Sequence, residues 1–95
     1  MEFVFVSKRR DLYDPVEEKL LTKDGGEYVL ETAGYDGIFD SLSYRCCATD
    51  TFATLIRTGR GERYFIVRGF VEEDVVSQLC RFGIPFDRRN ITRIK

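Results

Sequence analysis

Apolar and polar positions follow two different periods along this chain, and the places where the period changes mark the elements. Glu2-Phe3-Val4-Phe5-Val6 is short, β-rich and apolar on both faces, as expected for a strand lying inside a sheet. Leu42, Tyr44, Cys46 and Ala48 alternate with Ser43, Arg45, Cys47 and Thr49, which predicts a second strand, although Asp40-Ser41 also fits a helix cap. Glu62-Arg63-Tyr64-Phe65-Ile66-Val67-Arg68 has the strongest strand character in the chain. A turn at Thr58-Gly59-Arg60-Gly61 precedes it, so residues 52–68 are predicted to form a β-hairpin. From residue 72 the period becomes helical. Val71, Val75, Val76, Leu79, Cys80 and Phe82 form a stripe, with Glu73, Ser77, Gln78 and Arg81 away from it. Glu72, Glu73 and Asp74 complement the helix dipole in the first turn, and Arg81 does so in the last. Gly83 is placed to end the helix, and Pro85 prevents its continuation. Asn90 to Ile94 is predicted as a closing edge strand.

Residues 14–32 support two readings. Asp14-Pro15-Val16-Glu17 has the signature of a helix start, with Asp as N-cap, Pro at the first helical position and Glu three residues after the cap. That helix would run to about Lys23. The other reading is a hairpin, with arms Glu18 to Lys23 and Glu27 to Thr32 joined by Asp24-Gly25-Gly26. The hairpin is preferred, because so short a helix has little stability of its own. Gly34-Tyr35-Asp36-Gly37 is predicted as a loop. Together these elements predict an α+β fold: a small two-layer domain over residues 1–95, with an antiparallel sheet and one main helix at about 72–82 packed on one face.

A length of 95 residues suits one core, and 43% hydrophobic with 14% aromatic residues excludes a disordered chain. No apolar run approaches the ~20 residues of a membrane span, and the opening residues do not have the pattern of a secretory signal. The Asn90-Ile91-Thr92 glycosylation pattern is discounted accordingly. Histidine is absent, which removes His-based triads, His metal ligands and imidazole switches. Cys46, Cys47 and Cys80 are odd in number and lack CxxC spacing, so they fit neither a disulfide framework nor a zinc site. They are expected to be free thiols in a reducing cytosol. As a nucleophile, Cys46 or Cys47 would have only Arg45 close in sequence to favour the thiolate.

The formal net charge of −1 conceals blocks: +2 over residues 1–10, −7 over 11–50 and +4 over 51–95. A fold that keeps these blocks apart would have faces of opposite sign able to steer charged partners. Five tyrosines add amphipathic surface, and Tyr13 and Tyr35 are expected to be exposed in loops beside Asp14 and Asp36. Gly59-Arg60-Gly61 lacks the Lys, the Ser/Thr and the following helix of a phosphate loop, and is expected to be only a turn. Asp36, Asp40, Asp50, Glu27 and Glu31 lack EF-hand spacing and are expected to be solvated.

The expected function is a small non-enzymatic cytosolic binding or inhibitor protein. It would contact a protein partner with a basic surface, such as one in a nucleic-acid-handling complex, in the manner of small phage or mobile-element inhibitors. Its contact residues would be Asp11, Tyr13, Asp14, Glu17, Glu27, Glu31, Tyr35, Asp36 and Asp40. An alternative is nucleic-acid binding through Arg57, Arg60, Arg63, Arg88, Arg89 and Arg93, against which a pI near 5.5 weighs. A second alternative is a cysteine-dependent enzyme. No cofactor, metal or membrane partner is expected, and a homodimer is compatible with each reading because edge strands self-associate.

Overall fold

The computed structural model describes residues 1–21, 28–35 and 39–94. In chain order the elements are β1 (Glu2–Ser7), α1 (Arg10–Leu21), β2 (Tyr28–Tyr35), β3 (Phe39–Cys46), β4 (Thr51–Thr58), β5 (Arg63–Gly69), α2 (Glu72–Phe82) and β6 (Ile91–Ile94). A single 3-10 turn at Arg88–Asn90 leads into β6. The strands form one six-stranded sheet in the order β2-β3-β4-β5-β1-β6, antiparallel throughout. This is a small α+β domain with both helices on one side. The apolar first strand does lie inside the sheet, and the hairpin across 52–68 is β4 and β5.

Strand alternation separates the two faces of the sheet. Phe5, Tyr44, Cys46, Ala53, Leu55, Phe65 and Val67 point to the helical side and are buried. Tyr13, Val16 and Leu20 from α1 and Val75, Leu79 and Phe82 from α2 complete this core. The Phe82 ring meets Phe65 edge-on at a centroid distance of 5.5 Å and lies tilted 5.4 Å from Tyr28. Near Gly69 the layers approach closely. A Cβ built there would lie 2.7 Å from Cγ2 of Thr51 and 3.1 Å from Cγ2 of Val75, both on buried residues. Gly69→Ala is therefore expected to lower stability by about 1–3 kcal/mol, the usual cost of overpacking. Chemical denaturation measures this, and an unchanged midpoint would contradict the close approach.

The segment before β2 corrects one expectation. Glu18 to Leu21 belongs to helix α1, not to a hairpin arm, and the helix starts at Arg10, with Pro15 inside it. Reading Pro15 as the first helical residue hid the turn before it. Pro15 has no N–H to donate within the helix. Tertiary burial outweighs that cost, because Tyr13, Val16 and Leu20 at i, i+3 and i+7 are each no more than 5% exposed. The Asp24-Gly25-Gly26 turn, Glu27, Asp36 and Lys95 lie outside the described residues. Tyr35 is the last residue of β2, paired with Asp40, where a loop was expected.

Helix α2 spans the predicted residues and stops as predicted. Gly83 has φ 70°, its N–H bonds to the Cys80 carbonyl at 3.0 Å, and the Ile84 N–H bonds to the Leu79 carbonyl at 3.0 Å. Its stripe differs at three places. Gln78, assigned away from the core, is buried, while Val71, which caps the helix from outside, and Cys80 are exposed. Gln78 tolerates burial because the Tyr28 hydroxyl donates to its Oε1 and its Nε2 lies 3.9 Å from the Cys46 sulfur.

Candidate interaction surface

Both helices occupy the side of the sheet that carries Phe65, so the opposite side has no covering layer among the described residues. Its side chains follow from register. One row runs Val29, Arg45, Phe52, Arg68, Val4 and Thr92. The next runs Thr32, Ser43, Thr54, Ile66 and Val6, and a third runs Gly34, Ser41, Ile56 and Tyr64. Val6 and Val29 are about half exposed, at 49% and 54%. Val4, Phe52, Ile56, Tyr64 and Ile66 are partly covered, mainly by one another across the strands. On the β1–β6 side, Val4, Val6, Thr92 and Ile94 line an open cleft of about 790 Å³.

The polar groups on this face stand mostly around its rim. The Arg68 guanidinium lies 4.7 Å from the centroid of the Phe52 ring and 3.4 Å from Glu2. Arg45 reaches Glu31 at 3.8 Å and Asp50 at 3.5 Å. Lys8 lies 5.9 Å over the Tyr64 ring, and the Tyr64 hydroxyl donates to Glu62 at 2.9 Å. That hydrogen bond holds the Tyr64 proton and raises its pKa. Within the face the Ser43 and Thr54 hydroxyls satisfy each other at 3.2 Å. An apolar centre with a rim of paired charges is the anatomy of a protein contact surface. The sequence signal was present as the outward positions of 52–56 and 64–68. Those positions were read there only as strand pattern, since a single strand does not reveal that its other face lacks a partner.

The residues singled out from sequence are distributed differently. Asp14, Arg57, Arg63, Asp40 and Tyr13 meet where α1 crosses the ends of β3, β4 and β5. Arg63 donates to Asp14 at 2.7 Å and stacks 5.3 Å from the Tyr13 ring centroid. In the strand register Asp40 sits opposite Arg57, and Arg57 opposite Arg63. Tyr13, Asp40, Leu42, Leu55 and Arg57 border an open cleft of about 450 Å³. Tyr13 is not an exposed loop residue. It is 2% exposed, on the core side of α1. Asp11 pairs with Arg9 at 2.6 Å, Glu31 sits on edge strand β2, and Glu17 is partly covered on α1.

The separation of charge expected from the sequence blocks is therefore broken at this cluster. Asp14 and Asp40 from the acidic stretch lie beside Arg63 and Arg57 from the basic one, because α1 and the β3–β4 pairing bring these segments together. The arginines do not form one patch either. Arg60 is at the tip of the β4–β5 turn. Arg88 is paired with Glu73 at 2.7 Å, Arg89 with Asp87 at 2.7 Å, and Arg93 lies on edge strand β6. Pairing with Arg88 and Arg89 holds the Glu73 and Asp87 carboxyls below their ordinary values. Gly61, at φ 82°, closes the turn that Gly59-Arg60-Gly61 was expected to make.

Burial, with Glu17 as a further cause, pushes the phenols of Tyr13 and Tyr44 above the ordinary tyrosine value of 10.0. The folded state thus keeps these protons to higher pH than the unfolded chain. Their contribution is complete below the ordinary value of 10.0 and is lost as pH rises through the folded values. Thermal melts across alkaline pH should show this fall, and Tyr13→Phe should make it shallower. A limb unchanged by that substitution would contradict the assignment.

The cysteines are free, with Cys46 buried and Cys47 and Cys80 exposed. Arg45 adjoins Cys46 in β3 but projects from the opposite face, where it is held by Glu31 and Asp50. A thiol-reactive probe is expected to label Cys47 and Cys80 in the native protein, and Cys46 only after denaturation. Native labelling of Cys46 would show that its site opens.

Comparison with protein-family models, with curated proteins and with solved structures finds no match to this chain. Among the described residues no helix is long and apolar enough to cross a membrane.

Proposed function

We propose that this chain is a non-enzymatic binding protein that takes a protein partner on the uncovered face of its sheet. The observation that carries the reading is the outward-facing group Val4, Val6, Phe52, Ile56, Tyr64 and Ile66, which has no second layer over it among the described residues. Covering such a group returns about 25 cal/mol for each Å² of apolar surface removed from water. The surrounding pairs Arg68–Glu2 and Arg45–Glu31 sit in solvent, where each contributes at most about 1 kcal/mol and serves orientation more than affinity. The free cysteines favour work in a reducing compartment such as the cytosol.

The acidic residues are a weaker basis for the same function. Asp14 is engaged by Arg63 and Asp11 by Arg9, so part of the charge needed for a basic partner is already compensated.

The test uses immobilised chain as bait. Ile66→Glu places a charge at the centre of the face and should reduce partner retention by about tenfold or more, equivalent to about 1.4 kcal/mol. Asp14→Asn should leave retention unchanged. The reverse pattern would assign binding to the acidic cluster, and a wild-type bait that retains nothing, itself included, would contradict the binding reading.

A further inference from the structure

The outer face has a self-complementary register. Its middle row, Ser43, Thr54, Ile66 and Val6, separates a row with Arg45, Phe52 and Arg68 from a row with Ser41, Ile56 and Tyr64. A two-fold axis along the middle row keeps the strand order and reverses the strands end for end. Thr54 then meets Thr54 of a second copy, and Ile66 meets Ile66. Phe52 falls on Ile56, and Arg68 on Tyr64 with its bonded Glu62. The same reversal places Lys8 over Val4 of the other copy. Arg68 thus meets an aromatic ring and its acid, Arg45 meets Ser41, no two basic groups are set against each other, and β-branched side chains meet on the axis. An axis along the strands would instead gather Arg45 and Arg68 of both copies into one layer, where like charges repel.

We infer that the partner taken on this face is a second copy of the chain, packed sheet to sheet about the axis through Thr54 and Ile66. This rests on the assignment of the outer face as the contact surface. Its area is sufficient. Six strands about 4.8 Å apart, each with about six residues rising 3.3 Å apiece, give about 600 Å² of projected face per copy. The pair of faces, at about 1,200 Å² before side-chain relief is added, reaches the size of a specific interface. Two sheets packing about 10 Å apart also convert the open layer into the interior of a sandwich. The chemistry favours a sheet over a nucleic-acid strand. The centre is Val, Ile and Thr, which offer no ring for a base to stack on, and the rings of Phe52 and Tyr64 already hold Arg68 and Lys8.

The axis gives a direct test, because position 54 faces itself. Sedimentation equilibrium should find wild-type protein at twice its 11.1 kDa chain mass at about 100 µM. Thr54→Lys and Thr54→Glu should each weaken self-association by about tenfold or more, and an equimolar mixture of the two should restore the dimer. Circular dichroism melts establish that each variant is folded, and the pair Ile66→Lys and Ile66→Glu provides the same test should either fail. A dimer indifferent to both pairs overturns the second-copy inference and removes the outer face as the contact surface. Loss in the single variants without recovery in the mixture overturns the axis. A wild-type monomer overturns the second-copy inference. If that monomer retains a different protein only while position 66 is uncharged, the outer-face reading stands alone, whereas retention of an oligothymidylate on the same terms overturns the protein-partner reading as well.

Discussion

Phe65→Ala is expected to lose about 3–5 kcal/mol of stability, the usual cost of removing a buried phenylalanine side chain. Small domains have only about 5–15 kcal/mol in total, so the variant should be largely unfolded on modest warming. The reason is position. Phe65 is 1% exposed on β5, a central strand of the sheet, and both helices pack against that strand. Its ring is the one Phe82 meets edge-on, so truncation removes a contact between layers as well as filled volume. Neither face of the sheet can shift to close the gap, because β5 is bonded to β4 and β1 along its length. A melting temperature lowered by about 4–8 °C for each kcal/mol is the expected readout. A drop of only a few degrees would mean that the helices do not converge on this strand.

Val16→Asp should be at least as damaging, at about 3 kcal/mol or more, since an unpaired carboxylate would enter the apolar core. Val16 is 1% exposed on the inner side of α1, between Tyr13 and Leu20 in the helical stripe. Glu18, two residues on, is exposed, and Glu18→Ala should change stability by no more than about 0.5 kcal/mol. In the hairpin arm Glu18 to Lys23 that the Asp-Gly turn suggests, Glu18 and Leu20 would share a face, so a loss for Leu20→Asp as large as that for Val16→Asp, beside a silent Glu18→Ala, separates the helix from the hairpin. Similar losses at Glu18 and Leu20 would contradict α1.

Most of the architecture was legible because its signals are local. Gly83 and Pro85 stop α2, Gly59-Arg60-Gly61 turns β4 into β5, and the doubly apolar β1 lies between two strands. The α1 error came from treating Pro15 as a boundary in a segment whose helicity depends on packing of Tyr13, Val16 and Leu20, a tertiary effect with no local signature. Gln78 was misplaced for a related reason, since its partner Tyr28 lies on β2. The candidate surface was hidden in another way. Alternation at Phe52, Thr54 and Ile56 shows that two faces exist. Which one is covered is decided by both helices crossing to the same side. The charge blocks misled because sequence proximity is not spatial proximity: Asp14 bonds at 2.7 Å to Arg63, 49 residues along the chain.

Methyl-resolved NMR of Val4, Val6, Ile56 and Ile66, compared between the dilute protein and its bound state, tests the central claim most directly. The account predicts that these methyls shift and lose solvent exposure on binding, while Val16 and Leu20 beside the α1 acidic cluster stay in place. Shifts confined to the α1 side, with the outer-face methyls unmoved, would contradict it.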